Sequence, residues 1–240
     1  MSTSLIYFIH ALSPLHMGTG AATGGIDLPH SREASTGLPN APGSGIKGVL
    51  RDELKSKCNH HTRLFGAEHY NQTNRDQGAL LFSDALLLCL PVPSYSGGFA
   101  WVSSPAALRR YERERRACGL SALPGNPSVT DGRAACAASP LLAAGKLYLH
   151  DVALEHDNGS SAAAAKIAGD IAQALYGNGA IQDIGFFTAR FAIVDDKVLG
   201  YLASEAMDVR TRIAIKDDTK TVRKGGLWTA ENLPSETVLG

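Results

Sequence analysis

The sequence has no excess of charge that would attract an oppositely charged partner to the whole molecule. It carries 23 lysines and arginines against 23 acidic residues, so its formal net charge is zero. Any affinity for a polyanion must therefore come from local basic patches, backbone amides and aromatic stacking. The four cysteines are scattered without C-x-x-C spacing, which argues against a disulfide framework and indicates reduced thiols in a cytoplasmic protein.

Long apolar runs and the common nucleotide-binding motifs are also missing. No apolar run is long enough to cross a membrane and no basic region precedes the first one, so we expect neither a membrane span nor a signal peptide. Gly18 and Gly20 begin a dinucleotide fingerprint, but Thr23 stands where the third glycine is needed. No G-x-x-x-x-G-K-[ST] run occurs, which excludes that type of phosphate loop.

The most informative feature is a long glycine-rich loop over 13–45, which is followed by a predicted helix over 46–57. Lys47 and Arg51 lie four residues apart on one face of that helix. Ser44 is the candidate N-cap, and Gly45 leaves the first turn uncrowded. Free N–H groups at a helix start favour an anion, so a phosphate can bind there beside Lys47. A solvated basic helix face is the alternative interpretation.

A second basic feature lies near the end of the sequence. Apolar or small residues at 209, 211, 213 and 215 alternate with Arg210, Arg212 and Lys216, which is strand periodicity. The polar residues that follow predict a turn near Lys220 and an antiparallel return strand. These residues would form a basic arm on a neutral protein, and an exposed hairpin that its charges keep soluble is the alternative interpretation.

The remaining periodicities predict helices and strands that alternate along one domain of 240 residues. Predicted strands cover 5–12, 79–90, 146–154 and 187–194; predicted helices cover 106–117, 162–175 and 197–206. Prolines, glycines and small residues predict an irregular insertion at about 118–145. The predicted fold class is α+β.

Three segments together resemble the RAMP proteins of type III CRISPR effector complexes, most closely the backbone subunits of the type III-B (Cmr) complex. They are SPLHMGTG (13–20), GGIDLP (24–29) and PGSGIKGVLRDEL (42–54), and weaker similarity extends through the late hairpin. The resemblance implies a single RAMP domain over 1–240 with a modified ferredoxin-like (RRM-like) core, inserted loops and a protruding β-hairpin thumb at about 208–226. Relatives continue with a further core strand and a glycine-rich loop, so we expect the sheet edge that this leaves to be covered by another subunit or by residues outside this sequence.

The function that the resemblance implies is RNA-guided cleavage of RNA in antiviral defence. Copies of the subunit would line a CRISPR guide RNA head to tail with other type III effector subunits and cleave complementary target RNA at regular intervals. The implied enzyme is a metal-dependent endoribonuclease of the cytoplasm, with Mg²⁺ as the expected cofactor and no membrane partner. Base pairing by the guide would supply sequence specificity.

The expected catalytic residue is Asp27, which by resemblance occupies the position of the aspartate required for cleavage. Asp27 is also the possible metal ligand, since hard cations prefer carboxylate oxygens, although a simple turn former has the same sequence signature. His16 is a weaker candidate for proton transfer, and a loop-packing histidine is the alternative. The expected RNA-binding residues, taken from the loop, the first helix and the hairpin, are Gly18, Ser44, Gly45, Lys47, Arg51, Arg210, Arg212 and Lys220.

Two other functions remain open from the sequence. The chain can be a subunit of an RNA-binding filament that performs no chemistry, or a stand-alone endoribonuclease that processes guide RNA. Replacing Asp27 distinguishes the filament without chemistry from the RNA-cleaving subunit, because only the latter would lose cleavage. Activity on precursor RNA without other subunits identifies the stand-alone endoribonuclease.

Overall fold

Helices and strands alternate along the computed structural model, which describes residues 3–20, 24–67, 77–126, 128–137 and 140–240. The strands are β1 (Ile9–His10), β2 (Asn40–Ala41), β3 (Ala85–Ser94), β4 (Gly98–Ser103), β5 (Arg133–Cys136), β6 (Leu142–Ala143), β7 (Lys146–Leu149), β8 (Val152–His156), β9 (Phe191–Val194), β10 (Asp208–Ile215), β11 (Val222–Asn232) and β12 (Val238–Leu239). The α-helices are α1 (Gly43–Glu53), α2 (His61–Phe65), α3 (Pro105–Ala117), α4 (Ser161–Tyr176), α5 (Ile181–Arg190) and α6 (Asp196–Glu205).

Ten of the described strands form one mixed sheet in the order β1-β12-β3-β4-β9-β5-β8-β7-β6, with β2 also paired to β3. The pair β4–β9 is parallel, whereas β3–β4 and β5–β9 are antiparallel. β3 also pairs with β7 at Ser94 and Leu149, which joins distant parts of the strand order and curls the sheet into a barrel-like core. Because β12 lies between β1 and β3, β1 is the outer strand at that end.

Both faces of this sheet are buried. Successive residues of β4 point to opposite faces, so that Val102 belongs to one apolar cluster and Trp101 to the other. The same alternation places Ala192 and Ile193 of β9 in different clusters. Helix α6 covers the first face, and α3, α4 and α5 cover the second. A sheet covered on both faces explains why the central strands read as continuous apolar runs.

Local signals in the sequence explain the helices that it predicted well. Ser104 caps α3 by accepting a hydrogen bond from the Ala107 N–H at 3.5 Å, and Pro105 occupies the first turn. Helix α4 buries a stripe of small and branched residues: Ala164, Ile167, Ala168, Ile171 and Ala172. Asp195 caps α6 by accepting from Lys197 N at 2.9 Å.

Several predicted boundaries differ from the structure. The predicted strand at 187–194 is helical as far as Arg190, because a buried helix turn and a buried strand have the same apolar signal. The predicted strand at 5–12 is paired only at 9–10. The segment 118–145 contains β5 and β6, whose small residues give little strand signal, and its residues 127, 138 and 139 lie outside the described residues.

The N-cap predicted for α1 was wrong. Pro42 occupies the N-cap position, and Ser44 is an exposed residue of the first turn. The Gly43 N–H instead donates to the Asp84 carboxylate at 2.8 Å, so a residue 41 positions away satisfies this helix start. Side-chain capping over such a separation leaves no local signal in the sequence.

Strands β10 and β11 form a separate two-stranded antiparallel sheet with Arg210 opposite Ala230 and Thr211 opposite Thr229. Directly opposite residues share a face, so Arg210 and Arg212 project from one face with Trp228. The other face carries an exposed apolar stripe: Val209, Ile213, Ile215, Val222 and Leu227. The hairpin therefore has a basic face and an apolar face.

An apolar groove of about 650 Å³ lies between the N-terminal segment and α1. Its lining includes Leu5, Val49 and Leu81, which are all exposed. Among the described residues, no helix is both long and apolar enough to cross a bilayer.

Two glycines of α1 provide a matched test of how closely the start of this helix packs against the backbone before β3. A Cβ at Gly43 would lie 2.4 Å from the Phe82 carbonyl oxygen, whereas a Cβ at Gly48 would meet no atom within 4 Å. We expect Gly43→Ala to lower the free energy of unfolding by about 2 kcal/mol through overpacking against backbone. Gly48→Ala should raise it by about 0.5–1 kcal/mol, because alanine favours the helix. Urea denaturation of both variants checks this pair, and equal effects would contradict the packing at Gly43.

Candidate functional site

The glycine-rich loop is attached to the base of the hairpin by backbone hydrogen bonds. Leu15 and Leu233 exchange N–H···O bonds of 2.8 and 3.0 Å. Leu28 N donates to the Thr229 carbonyl, and Glu231 N donates to the Leu28 carbonyl, both at 3.0 Å. Residues near 28 therefore pair with β11 like a short parallel strand. This pairing holds the loop and the hairpin base together as one unit.

Asp27 is exposed at this junction and is held by a single residue of β11. The Thr229 N–H and hydroxyl donate to Asp27 Oδ2 at 2.8 and 2.9 Å, and Asp27 N donates to Thr229 Oγ1 at 3.0 Å. The hydrogen bonds from the Thr229 backbone and then its side chain lower the pKa of the Asp27 carboxyl below its ordinary value. Asp27 is therefore ionised at neutral pH, and no described residue donates a hydrogen bond to its Oδ1 in this arrangement.

His16 approaches the same strand with one defined tautomer. Its Nδ1 lies 2.7 Å from the Glu231 carbonyl oxygen, which can only accept, so Nδ1 carries the hydrogen and Nε2 has the lone pair in the neutral ring. A Cβ at Gly18 would lie 2.6 Å from His16 Nε2, so a side chain at position 18 would displace the imidazole. The predicted residues Gly18 and His16 thus share one site.

Glu231 connects the parts of the loop from a buried position. Its exposed fraction is 5 %. Its carboxylate accepts from Arg32 at 2.5 Å and from the His30 N–H at 2.9 Å. Arg32 also donates to the carbonyls of Gly37 and Ala203, so one ion pair joins the loop, β11 and α6. Sequence reasoning assigned no role to Glu231, because the partners of its carboxylate lie 201 and 199 residues away in the sequence.

His30 is a buried neutral histidine beside this ion pair. Burial lowers its pKa to about 4. Its Nδ1 accepts a hydrogen bond from Met17 N at 3.2 Å, so Nε2 carries the ring hydrogen. Nε2 is buried, and the described residues provide no partner for it. His30 thus packs the loop and contributes no positive charge at neutral pH.

The predicted RNA-binding residues of α1 are not equally available. Ser44 and Gly45 are exposed in the first turn, and Gly45 lies close to the loop because a Cβ there would be 3.3 Å from Met17 Cε. Lys47 Nζ donates to the Leu80 carbonyl at 2.9 Å, and Arg51 has a buried terminal nitrogen without a partner among the described residues. Ser44 and Gly45 of the first turn are therefore exposed, but the Asp84 carboxylate already accepts the Gly43 N–H at this helix start, and the basic stripe of α1 is partly directed at the protein.

The three predicted residues of the hairpin lie further out. Arg210 and Arg212 are exposed on its basic face, and Arg210 pairs with Asp208 at 2.7 Å. Lys220 is at the tip, where its backbone has a φ of 52°. The structure thus brings Asp27, His16 and Gly18 together at the hairpin base, with the first turn of α1 adjacent through Met17 and the hairpin cations along one arm.

Metal binding by the protein alone has limited support in the geometry. Within the described ranges, no group of three or more His, Cys, Asp or Glu side chains is arranged around a common point. Asp27 Oδ1 offers one hard oxygen donor, which suits Mg²⁺ when substrate and water supply the other ligands.

Comparisons with known proteins agree with the resemblance in the sequence. The sequence profile of the RAMP superfamily matches residues 8–239. The CRISPR system Cmr endoribonuclease Cmr4 of Pyrococcus furiosus is 32 % identical over 238 residues, which cover 96 % of this chain and 77 % of the relative.

Solved structures show the same fold. A crystal structure of oligomeric Cmr4 from Pyrococcus furiosus superposes with a TM-score of 0.72 at 24 % identity, covering 97 % of this chain and 77 % of that one. A type III-B Cmr-beta complex bound to cognate target RNA contains a chain that superposes with a TM-score of 0.69 at 19 % identity, covering 97 % of this chain and 80 % of that one.

The buried carboxylate at the hairpin base should contribute far more stability than an exposed one. We expect Glu231→Ala to lower the free energy of unfolding by about 3 kcal/mol, because it leaves Arg32 without its ion-pair partner and the His30 N–H unpaired. Glu53→Ala, which removes an exposed helix pair with Lys57, should cost less than about 0.5 kcal/mol. Chemical denaturation measures both, and equal losses would contradict the role given to Glu231.

Proposed function

The chain belongs to the RAMP superfamily, and from that premise we propose that it is a backbone subunit of a type III-B CRISPR ribonucleoprotein that cleaves target RNA. The observation that carries the proposal is the similarity to a Cmr endoribonuclease over almost the whole chain, combined with an exposed carboxylate at Asp27. The relative is named an endoribonuclease, and similar folds occur in an oligomeric Cmr4 and in a Cmr complex bound to target RNA.

In this proposal the subunit repeats head to tail along a guide RNA in the cytoplasm, next to other effector subunits. Its core is a modified ferredoxin-like fold, and the hairpin β10–β11 is a thumb that crosses the guide–target duplex. The repeating contact is heterologous, so it extends into a filament. The adjoining subunit would cover the outer edge at β1 and the apolar groove beside it.

RNA binding would use local features, since the chain has no net charge. The exposed first turn of α1, with Ser44 and Gly45, presents backbone N–H groups to a guide phosphate beside Gly18. Lys47 and Arg51 would hold adjacent phosphates once Lys47 releases the Leu80 carbonyl and the Arg51 guanidinium turns outwards. Arg210, Arg212 and Lys220 would contact the duplex along the thumb.

The proposed reaction is an in-line transfer within the target strand. The 2′-hydroxyl oxygen attacks the adjacent phosphorus, a new P–O bond forms, and the bond to the leaving 5′ oxygen breaks. The proton of the 2′-hydroxyl passes to Asp27 Oδ1, or to His16 Nε2 where a cation occupies that oxygen, and the leaving oxygen takes up a proton from water. The protein contributes the position of the acceptor and excludes other geometries, because the displaced nucleotide is held at the hairpin base.

A divalent cation, which we propose to be Mg²⁺, would be held by Asp27 and would supply charge neutralisation at the phosphate. Asp27 provides one ligand, so the RNA must provide others, and the cation would bind firmly only with target present.

Removal of the cation tests that part of the proposal. Treating the assembled complex with EDTA should slow single-turnover cleavage about 100-fold or more, and added Mg²⁺ should restore the rate. Target affinity, measured by filter binding under the same conditions, serves as the control for assembly. A rate that is unchanged in EDTA would rule out the cation.

Replacing the acid tests the proposed chemistry. A complex carrying Asp27→Asn should bind target RNA with affinity within about two-fold of wild type and cleave it about 100-fold or more slowly, because the acceptor is lost. Asp131→Asn, which alters an exposed aspartate of another loop, is the matched control and should leave the rate unchanged.

Cleavage at the wild-type rate by the Asp27→Asn complex would refute the enzymatic role and leave a filament that binds RNA without chemistry. Processing of precursor RNA by the chain alone would instead identify a stand-alone guide-RNA nuclease.

A further inference from the structure

We propose that Thr229 is the positioning residue for Asp27, and that its hydroxyl aims the free carboxylate oxygen at the RNA linkage. This inference rests on the proposed function, since it concerns how the acid of that function is held.

The Thr229 hydroxyl makes two hydrogen bonds to the same residue with opposite roles. It donates to Asp27 Oδ2 at 2.9 Å and accepts from Asp27 N at 3.0 Å. A hydroxyl has one hydrogen and two lone pairs, so both contacts are satisfied at once. The result is a closed ring of bonds that ties the carboxylate to its own backbone through Thr229.

This ring determines which oxygen is available. The Thr229 N–H also donates to Oδ2, at 2.8 Å, so both donors of Thr229 converge on one oxygen of the carboxylate. Rotation of the side chain would break both bonds together. Oδ1 accepts no hydrogen bond from the described residues, and because the Asp27 side chain is exposed, it is the oxygen left for a ligand or a proton.

Few other contacts hold Asp27 in place. The side chain is exposed, and the loop before it is rich in glycine, as Gly24 and Gly25 show. The bonds of Leu28 fix the backbone after Asp27 but leave the exposed carboxylate free to adopt several rotamers, and misplacement by about 1 Å can cost about 100-fold in rate. The Thr229 hydroxyl would therefore determine how the Asp27 carboxylate is oriented for the reaction.

Thr229 also links the acid to the hairpin. It belongs to β11, and its neighbour Leu227 lies on the same hairpin face, within the exposed apolar stripe. A nucleotide displaced by the hairpin would therefore lie on the strand that orients Asp27. Positioning by Thr229 would couple correct docking of the RNA to correct aim of the acid.

The experiment compares single-turnover cleavage and target affinity for assembled complexes that carry single substitutions. Thr229→Val keeps the branched shape and removes both hydroxyl contacts, so we expect cleavage to slow about 10- to 100-fold while target affinity stays within about two-fold. Thr229→Ser keeps the hydroxyl and should stay within about three-fold of the wild-type rate. A merely structural role would not give this separation of rate from affinity together with rescue by serine.

The control is Thr36→Val at a chemically similar site. The Thr36 hydroxyl donates to Glu33 at 2.9 Å and accepts from Leu38 N at 3.2 Å, again joining a carboxylate to the backbone. This substitution should leave the cleavage rate unchanged. If the Thr229→Val complex does not assemble, Thr229→Ala is the second variant. It removes the same hydroxyl without placing a methyl group there, and we expect the same slower cleavage with unchanged target affinity.

Wild-type cleavage by the Thr229→Val or Thr229→Ala complex would overturn the inference, as would a Thr229→Ser complex that is as slow as Thr229→Val. The Asp27→Asn complex keeps this failure distinct from failure of the proposed function. If Asp27→Asn is inactive and Thr229→Val is fully active, only the positioning role is refuted. If Asp27→Asn is fully active, the enzymatic proposal itself is refuted.

Discussion

The structure of the candidate site depends on the attachment of a glycine-rich loop to the base of the β10–β11 hairpin. The loop has almost no regular secondary structure, so its shape is set by its contacts with β11. Backbone bonds at Leu28 and the buried Glu231 carboxylate hold it from two sides. Without them Asp27 and His16 would not be held against the same strand.

The charged groups of this region matter through their positions, because the chain has no net charge. In the proposed function, a neutral molecule would gain local attraction for phosphate from the basic face of the hairpin and from the N–H groups of the first turn of α1 that Asp84 leaves free. At the hairpin base, the positive charge of Arg32 is paired with Glu231. His30 is kept neutral by burial, which lowers its pKa to about 4. Neither Arg32 nor His30 therefore supplies a free positive charge that would offset the exposed carboxylate of Asp27.

Sequence reasoning predicted the parts of the fold that have local causes. The predicted helices over 106–117 and 162–175 lie close to the observed bounds of α3 and α4, whose cap and apolar stripe are local features of the sequence. The α+β class and the family resemblance agree with the structure and the comparisons. The cap of α1 by Asp84 and the closure of the sheet by β3 and β7 were not predictable, because both join residues far apart in sequence. The helical turn before β9 was missed because periodicity cannot separate a short buried helix from a strand.

The candidate site also combines residues with a local sequence signal and residues whose contacts are distant in sequence. Asp27 and His16 were predicted because they stand in recognisable motifs, whereas Thr229 and Glu231 act through contacts made 200 or more residues along the chain. The most direct test of the account is a structure of the assembled complex with a target that has a 2′-deoxy nucleotide at the cleavage step. The account predicts the Asp27 carboxylate within about 3–4 Å of the 2′ position or the scissile phosphate, directly or through one water. A structure in which this carboxylate lies far from every RNA strand would contradict it.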